Sequence, residues 1–339
     1  MEEVVWLEPL GAFHLGERGI GLEETAGIVH ADTLYAALVT SVATLEGTAA
    51  ADALAGGTPR ALISSAFPFA GPVRFYPRSM LPVPEGGFEL PDGASWKDVQ
   101  FVSERLLELQ ARGAPWPSVE VSCGGSVLVS AEEAAALRDA FGLRDLGEAR
   151  FWGRTAVPRV VLDVACHRSG IWHFGRVSFR EGAGWFFRVR YLDPGFSVVF
   201  RAAVRLLGDT GLGGDRSGGH GLFKPRFEAA GPLGDASADR FVTISPVYPP
   251  PGQAGRLLGP GSRYRWLTRG GWVSGARATP YRRRAVRMLA EGSLLEGEAS
   301  LLWGGMADVT PLETPEPLPF RVFRYGFAFP VGVTRWDGC

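Results

Sequence analysis

The spacing of apolar and polar positions changes several times along the chain. The opening "VVWLEPLGAF" is a short apolar block of the kind that forms a buried strand. "HADTLYAALVTSVATLEG" then places Leu34, Ala37, Leu38, Ser41, Val42 and Leu45 on one 3.6-residue stripe, which predicts a helix with Asp32 set to cap its start. Near "ALISSAFPFAG" the pattern returns to strand, and the Pro/Gly-rich "GPVRFYPRSMLPVPEGGFELPDG" predicts a connector. "KDVQFVSERLLELQARG" and "SAEEAAALRDAFG" predict two polar helices. "RTAVPRVVLDVACHRSGIWHFGRVSFREGAGWFFRVRYLD" predicts several strands, with "EGAG" turning a hairpin. "GFSVVFRAAVRLLGDTG" reads as an amphipathic helix stopped by glycine, and "GLFKPRFEAA" as a closing strand.

Without the connector, that order is strand, helix, strand, strand, helix, strand. It is the split βαβ order of ferredoxin-like folds, which the RNA-recognition fold shares. The expectation is an α+β protein with a ferredoxin-like (RRM-like) domain over residues 1–235. That domain carries a long insertion at about 71–158 and a glycine-rich loop at 208–221. Residues 236–339 form a second, strand-rich block, with "FVTISPVYPP", "RRRAVRMLAEGSLL", "ASLLWGG" and "YGFAFPVGV" as strands. A second, degenerate ferredoxin-like unit fits that block.

Composition is that of an ordinary globular protein, 46% hydrophobic and 21% charged over 339 residues. No apolar run is long enough to span a bilayer, and the acidic "MEEVVWLEPL" lacks the basic start of a signal peptide. Cys123, Cys166 and Cys339 make no CxxC pair, which points to neither a disulfide framework nor zinc and fits a reducing cytoplasm. The net charge of −1 hides strong segregation. Arg150 to Arg226 carries thirteen Lys/Arg against five Asp/Glu, and Arg263 to Arg287 carries eight arginines and no acid. Apart from Lys97 and Lys224, every basic residue is arginine, whose guanidinium forks onto phosphate and stacks on rings.

Seven glycines stand between Gly208 and Gly221, around Asp215, Arg216, Ser217 and His220. The stretch is neither a Walker A loop nor a G-x-G-x-x-G turn, because no GK[ST] follows and Arg216 stands where the third glycine would be. Either it is a plain turn, or its supple backbone N–H groups line a phosphate path together with Arg216 and Ser217. His14, His30, His167, His173 and His220 show no metal-ligand spacing, so no metal and no cofactor are expected. His30 and His220 are the ones placed to meet RNA, and either could serve as a general base on a ribose hydroxyl. His167 and His173 are expected on strand surfaces. "RFWGRTAVPRV" interleaves Arg150, Arg154 and Arg159 with Phe151 and Trp152. Such a stretch suits single-stranded RNA, or equally a solvated basic face over a buried ring. In "YRRRAVRM", an extended chain would turn Arg282 and Arg284 to one face and Arg283 to the other.

Several separated stretches together resemble the Csm subunit four family of the RAMP superfamily. They are "FHLGERGIGLEETAGIVHADTLYAAL", "AFPF", "KDVQFVSERLLEL", "GRTAVPRV", "GLGGDRSGGHGLF", "FVTISPVYPP", "RGGWVSG", "EGSLL" and "RYGFAFPVGV", in the family's order over essentially the whole chain. The resemblance implies a RAMP fold and a non-catalytic, RNA-binding subunit of a type III-A CRISPR interference complex. Such a subunit caps the 5′ repeat-derived tag of crRNA. It docks the large polymerase-like subunit and the backbone RAMP subunit, and meets target RNA only indirectly. A hairpin in "EARFWGRTAVPRV" would be a thumb that kinks the guide. His30 stands where the family usually has serine, and a related RNA-processing nuclease would keep a histidine near that helix. A metal-independent crRNA-processing endoribonuclease is therefore the alternative, and a pure protein scaffold a third. The RNA-contacting residues expected are His14, Arg18, His30, Arg150, Trp152, Arg154, Arg159, Gly211, Gly213, Gly214, Arg216, Ser217, Gly218, Gly219, His220, Lys224, Arg277, Arg282, Arg283 and Arg284.

Overall fold

The computed structural model describes all residues except 17–26, 84–89, 91–94, 164–167, 274–280, 313, 315–317, 319 and 335–339, with the backbone alone for 159, 161–163 and 168–173. Strand β1 (Glu2–Pro9) is followed by helices α1 (Ala31–Glu46) and α2 (Thr48–Gly56), then strands β2 (Ala61–Ile63), β3 (Phe67–Ala70) and β4 (Val73–Pro77). β4 lies inside the Pro/Gly-rich stretch expected to be a connector. It pairs with β3, and its Phe75 and Tyr76 are buried, so packing overrides the local turn residues. Next come β5 (Phe101–Ser103), α3 (Glu104–Ala111), β6 (Val119–Ser122), β7 (Val127–Ser130) and α4 (Ala131–Phe141). The stretch before α3 was expected to be helical, but it begins as β5. α4 starts on a capping box, in which the Ser130 hydroxyl takes the Glu133 N–H and the Glu133 carboxylate takes the Ser130 N–H.

β8 (Trp152–Asp163) and β9 (Arg168–Phe179) form a long hairpin, paired from Trp152↔Phe179 to Asp163↔Arg168. It runs well past residue 158, where the insertion was expected to end. "EGAG" turns the chain from β9 into β10 (Ala183–Tyr191) without making a hairpin, because β10 pairs instead with β1, β2 and β3. α5 (Ser197–Thr210) and β11 (Phe223–Ala230) complete this part.

The main sheet runs β11-β1-β10-β3-β4-β5-β7-β6, with β2 also on β10. β1 is an inner strand next to the edge strand β11, with Val5 opposite Phe187 of β10 on one side and Phe227 of β11 on the other. Val4, Val5, Trp6 and Leu7 are all buried although successive side chains point to opposite faces, so both faces are covered, which explains its near-continuous apolar run. α1 and α5 pack side by side and bury Leu34, Leu38 and Val42 from α1 and Phe200, Val204 and Leu207 from α5. Leu45, at the end of the predicted stripe, is exposed instead.

The second block holds β12 (Arg240–Thr243), α6 (Pro251–Leu257), β13 (Trp266–Arg269), β14 (Trp272–Val273) and β15 (Tyr281–Arg282). It continues with β16 (Val286–Leu289), β17 (Leu294–Glu296), β18 (Ala307–Asp308), β19 (Phe323–Arg324) and β20 (Pro330–Gly332). β12 lies between β17 and β20, and β13 pairs with β16, β14 with β15, and β18 with β19. "ASLLWGG" contributes only a single bridge, Gly304 to Phe327, where a strand was expected. The two blocks share one apolar core: Val242, Ile244, Tyr325, Phe329 and Val331 pack in the same cluster as the main sheet. Tyr325 stacks on Tyr35 of α1 with ring centroids 4.5 Å apart. Among the described residues no helix is long and apolar enough to cross a membrane.

Candidate functional site

The glycine loop folds back on the segment after β1. The Gly211 N–H closes α5 onto the Leu207 carbonyl at 2.8 Å; the Gly214 and Gly221 N–H groups reach the carbonyls of His14 and Ala12, each at 2.9 Å. The Leu212 N–H donates to the Gly221 carbonyl, and those of Gly218 and Gly219 to Asp215 and Arg216. A Cβ on Gly213 (φ 101°) would collide with the His14 carbonyl, and one on Gly221 (φ 83°) with Leu212. These glycines serve positive φ and close backbone approach. That corrects the expectation of a supple, amide-lined path, because those six N–H groups are already engaged within the protein. What the loop presents outward is its tip, from Arg216 to Gly219, all four residues exposed.

His14 and His220 brace the loop from behind. His14 is buried, stacks on Phe174 and shares a 2.6 Å hydrogen bond between Nδ1 and the Gly175 carbonyl of β9. His220 lies edge-on to Phe174, with Nδ1 3.3 Å from an Asp215 carboxylate oxygen. His14 therefore belongs to the packing between loop and hairpin, a correction to its expected RNA contact.

Opposite the loop stands the first turn of α1. Asp32 makes no capping hydrogen bond there, contrary to expectation; its side chain is fully buried. Arg269 of β13 forks onto it, Nε to Oδ2 at 2.9 Å and Nη2 to Oδ1 at 3.1 Å, and also donates to Thr33 Oγ1. Arg324 of β19 makes a further bond to Asp32 Oδ2 and another to the Gly270 carbonyl. Burial alone would push the Asp32 carboxyl up, but Arg269 and Arg324 outweigh it and hold it well below the usual carboxylate range. Arg283 adds a third guanidinium near this single carboxylate, and its Nε is buried with no acceptor among the described residues. Nearby, His30 Nδ1 lies 2.7 Å from Glu291 Oε1, which also accepts from the Ser65 hydroxyl. Burial would raise the Glu291 carboxyl, yet His30 and Ser65 keep it low. Ser65 in turn takes the Ala31 N–H, which ties this pair to the start of α1.

Between loop and helix runs a groove of about 590 Å³. One wall is the small, hydroxylated face of α1 with Thr33, Ala37, Thr40 and Thr44; the other is α5 and the glycine loop. Arg216, Arg269 and Arg283 line it, and no described lining residue is acidic. The four guanidiniums of Arg216, Arg269, Arg283 and Arg324 against the two sequestered carboxylates of Asp32 and Glu291 leave excess positive charge, which suits an anionic ligand.

Of the expected contacts, His30, Gly211, Gly213, Gly214, Arg216 and Arg283 come together in this groove. Arg154 is exposed on β8, with its guanidinium beside Gly27, just before α1. Trp152 is packed against Phe75 and Phe101, with ring centroids 5.5 and 6.0 Å away, so its ring serves the core and not a base. Arg150 stands by the Cys123–Gly124 turn and Lys224 on the outer strand β11, and neither lines the groove. Arg282 and Arg284 are exposed while Arg283 turns inward, as the alternation predicts, but Arg284 is bonded to the Asp308 carbonyl. Arg18, Arg277 and His167 lie outside the described residues, as do the side chains of Arg159 and His173. Arg269, Arg324 and Glu291 were missed, although each opens a stretch that carries the family resemblance, "RGGWVSG", "RYGFAFPVGV" and "EGSLL", and Arg269 also belongs to the acid-free arginine run.

Comparison with known proteins gives this arrangement a context. Residues 236–333 match the family model for the CRISPR Csm4 C-terminal domain. The chain is 30% identical over 319 residues to a protein of Thermococcus onnurineus (strain NA1) described as CRISPR system Cms protein Csm4, covering 92% of this chain and 93% of that one. It is similar to a solved Csm3–Csm4 subcomplex in the type III-A CRISPR-Cas interference complex, with TM-score 0.69 and 16% identity over 99% of this chain and 100% of the other. It is also similar to a Csm1–Csm4 cassette in complex with cA4, with TM-score 0.58 and 23% identity over 99% of both chains. At these identities the two structural likenesses speak for the fold alone.

Proposed function

The chain belongs to the Csm4 family, and from that premise we propose that it is a non-catalytic subunit of a type III-A CRISPR complex that anchors the 5′ repeat-derived tag of crRNA. The observation that carries this reading is the groove lined by Arg216 and Arg283, with no acidic residue among its described lining. Guanidiniums grip phosphates in a bent single strand by forked hydrogen bonds, and phosphate contacts fix its path without reading sequence. The order of β11, β1, β10 and β3 supports a ferredoxin-like RAMP domain over residues 1–235, since fourth, first, third and second strand stand in that sequence across the sheet. The β8–β9 hairpin takes the part of the thumb, with Arg154 beside the start of α1. Residues 236–339 are the second domain. The related Csm1–Csm4 and Csm3–Csm4 structures support docking to a large polymerase-like subunit on one side and a backbone subunit on the other, so that target RNA is met only indirectly.

The test is RNA recovered with the assembled complex, which is expected to share one 5′ end; random ends would refute tag anchoring. Arg216→Ala with Arg283→Ala is expected to weaken tag binding and to reduce its salt slope by about 1.4, at about 0.7 per single-strand phosphate contact. An unchanged slope would remove the groove from the path. The His30–Glu291 pair favours a second reading, a ribonuclease. Cutting of repeat RNA by the purified chain, lost in His30→Ala, would establish that reading in place of the first.

A further inference from the structure

β13 and β14 form one ribbon edge whose residues alternate in direction. Arg269 and Val273 turn inward, and Arg269 reaches Asp32. Trp266, Thr268 and Trp272 turn outward, the two tryptophans 49% and 46% exposed. Tyr264 stands edge-on to Trp266, with ring centroids 5.6 Å apart. On the facing strands, exposed Arg287 lies opposite Thr268 and exposed Arg282 opposite Trp272. The same ribbon thus sends Arg269 and Arg283 to the groove and shows rings and guanidiniums on its other side.

We propose that this outward face is a platform for single-stranded RNA, where Trp266 and Trp272 stack bases and Arg282 and Arg287 hold phosphates. Half-exposed tryptophans in one row mark a binding surface. Arginines interleave with the rings, and the run from Arg263 to Arg287 holds eight of them and no acid, so the face carries positive charge that complements a phosphate-linked strand. Unpaired bases joined by phosphates offer flat faces and negative charge in that alternation, and a duplex hides the faces. Residues 266 to 272 span at most about 20 Å of extended chain, room for several nucleotides. The inference rests on the reading of this chain as RNA-binding, yet uses none of the groove's residues.

The full chain is titrated with labelled oligouridylate, with DNA of the same length and with duplex RNA, following anisotropy and tryptophan quenching. Trp266→Ala with Trp272→Ala is expected to weaken binding of the single-stranded RNA by roughly tenfold to a hundredfold and to leave the duplex unaffected. Trp266→Phe with Trp272→Phe keeps most of the affinity, and Arg282→Gln with Arg287→Gln lowers the salt slope by about 1.4. Wild-type binding by the alanine pair, or equal loss on single strand and duplex, overturns the proposal. So does an alanine pair that keeps RNA but no longer assembles with partner proteins. Single-stranded DNA is expected to bind comparably to RNA, because neither stacking nor a phosphate contact reads the 2′-hydroxyl. The groove variant Arg216→Ala with Arg283→Ala separates the two sites. If it alone loses RNA, the groove stands and the platform falls; if the tryptophan pair alone loses RNA, the platform stands and the groove falls.

Discussion

Asp32 ties three segments of the chain together: the start of α1, β13 and β19. A buried carboxylate is stable only while its charge is matched, and here two arginines match it while a third stands close by. Replacing it removes the one group that lets those guanidiniums approach each other. Asp32→Asn is therefore expected to cost about 3–5 kcal/mol, the range for breaking a buried pair from one side. Urea unfolding checks this, and a loss below about 1 kcal/mol would mean that the arginines find other partners.

The glycine loop shows how one element is fixed by neighbours it does not resemble. Gly213 and Gly219 both have positive φ, but only at Gly213 does a neighbouring carbonyl fill the space of a side chain; nothing lies within 4 Å of a Cβ on Gly219. Gly213→Ala is expected to lose about 3 kcal/mol or more and Gly219→Ala about 1 kcal/mol, since strain alone acts at the second site and strain plus collision at the first. Equal losses in thermal unfolding would show that the loop shifts away from His14. The density of glycines made this element legible, and so did the 3.6-residue stripe of α1 and the apolar block of β1. The reason for the glycines was not legible, because it lies in contacts with Ala12 and His14 about 200 residues earlier. β4 was hidden by the prolines and glycines around it. The engagement of Asp32 was masked by its position, which suits a cap, and no local spacing links it to residues 269 and 324.

At the scale of the whole molecule, buried carboxylates set the response to acid. Asp32, Glu104 and Glu291 all have folded pKa values below their ordinary ones, and in each case burial opposes the shift while arginine or histidine partners overcome it. Their contribution to stability is complete above the unfolded carboxylate range near about pH 4 and drains away as pH falls through the folded values. The thermal midpoint is expected to hold from about pH 7 to 5 and to drop steadily below about pH 4, with a shallower drop in Asp32→Asn. An acid response identical in the variant would place the titration elsewhere. The partners of Asp32 lie 237 and 292 positions downstream of it. A ribosome making this chain has therefore finished α1 long before it supplies the arginines that complete the site. A prematurely ended product retains the glycine loop but never acquires Arg269, Arg283 or Arg324, so only a translated-through polypeptide completes the groove and the cluster behind it.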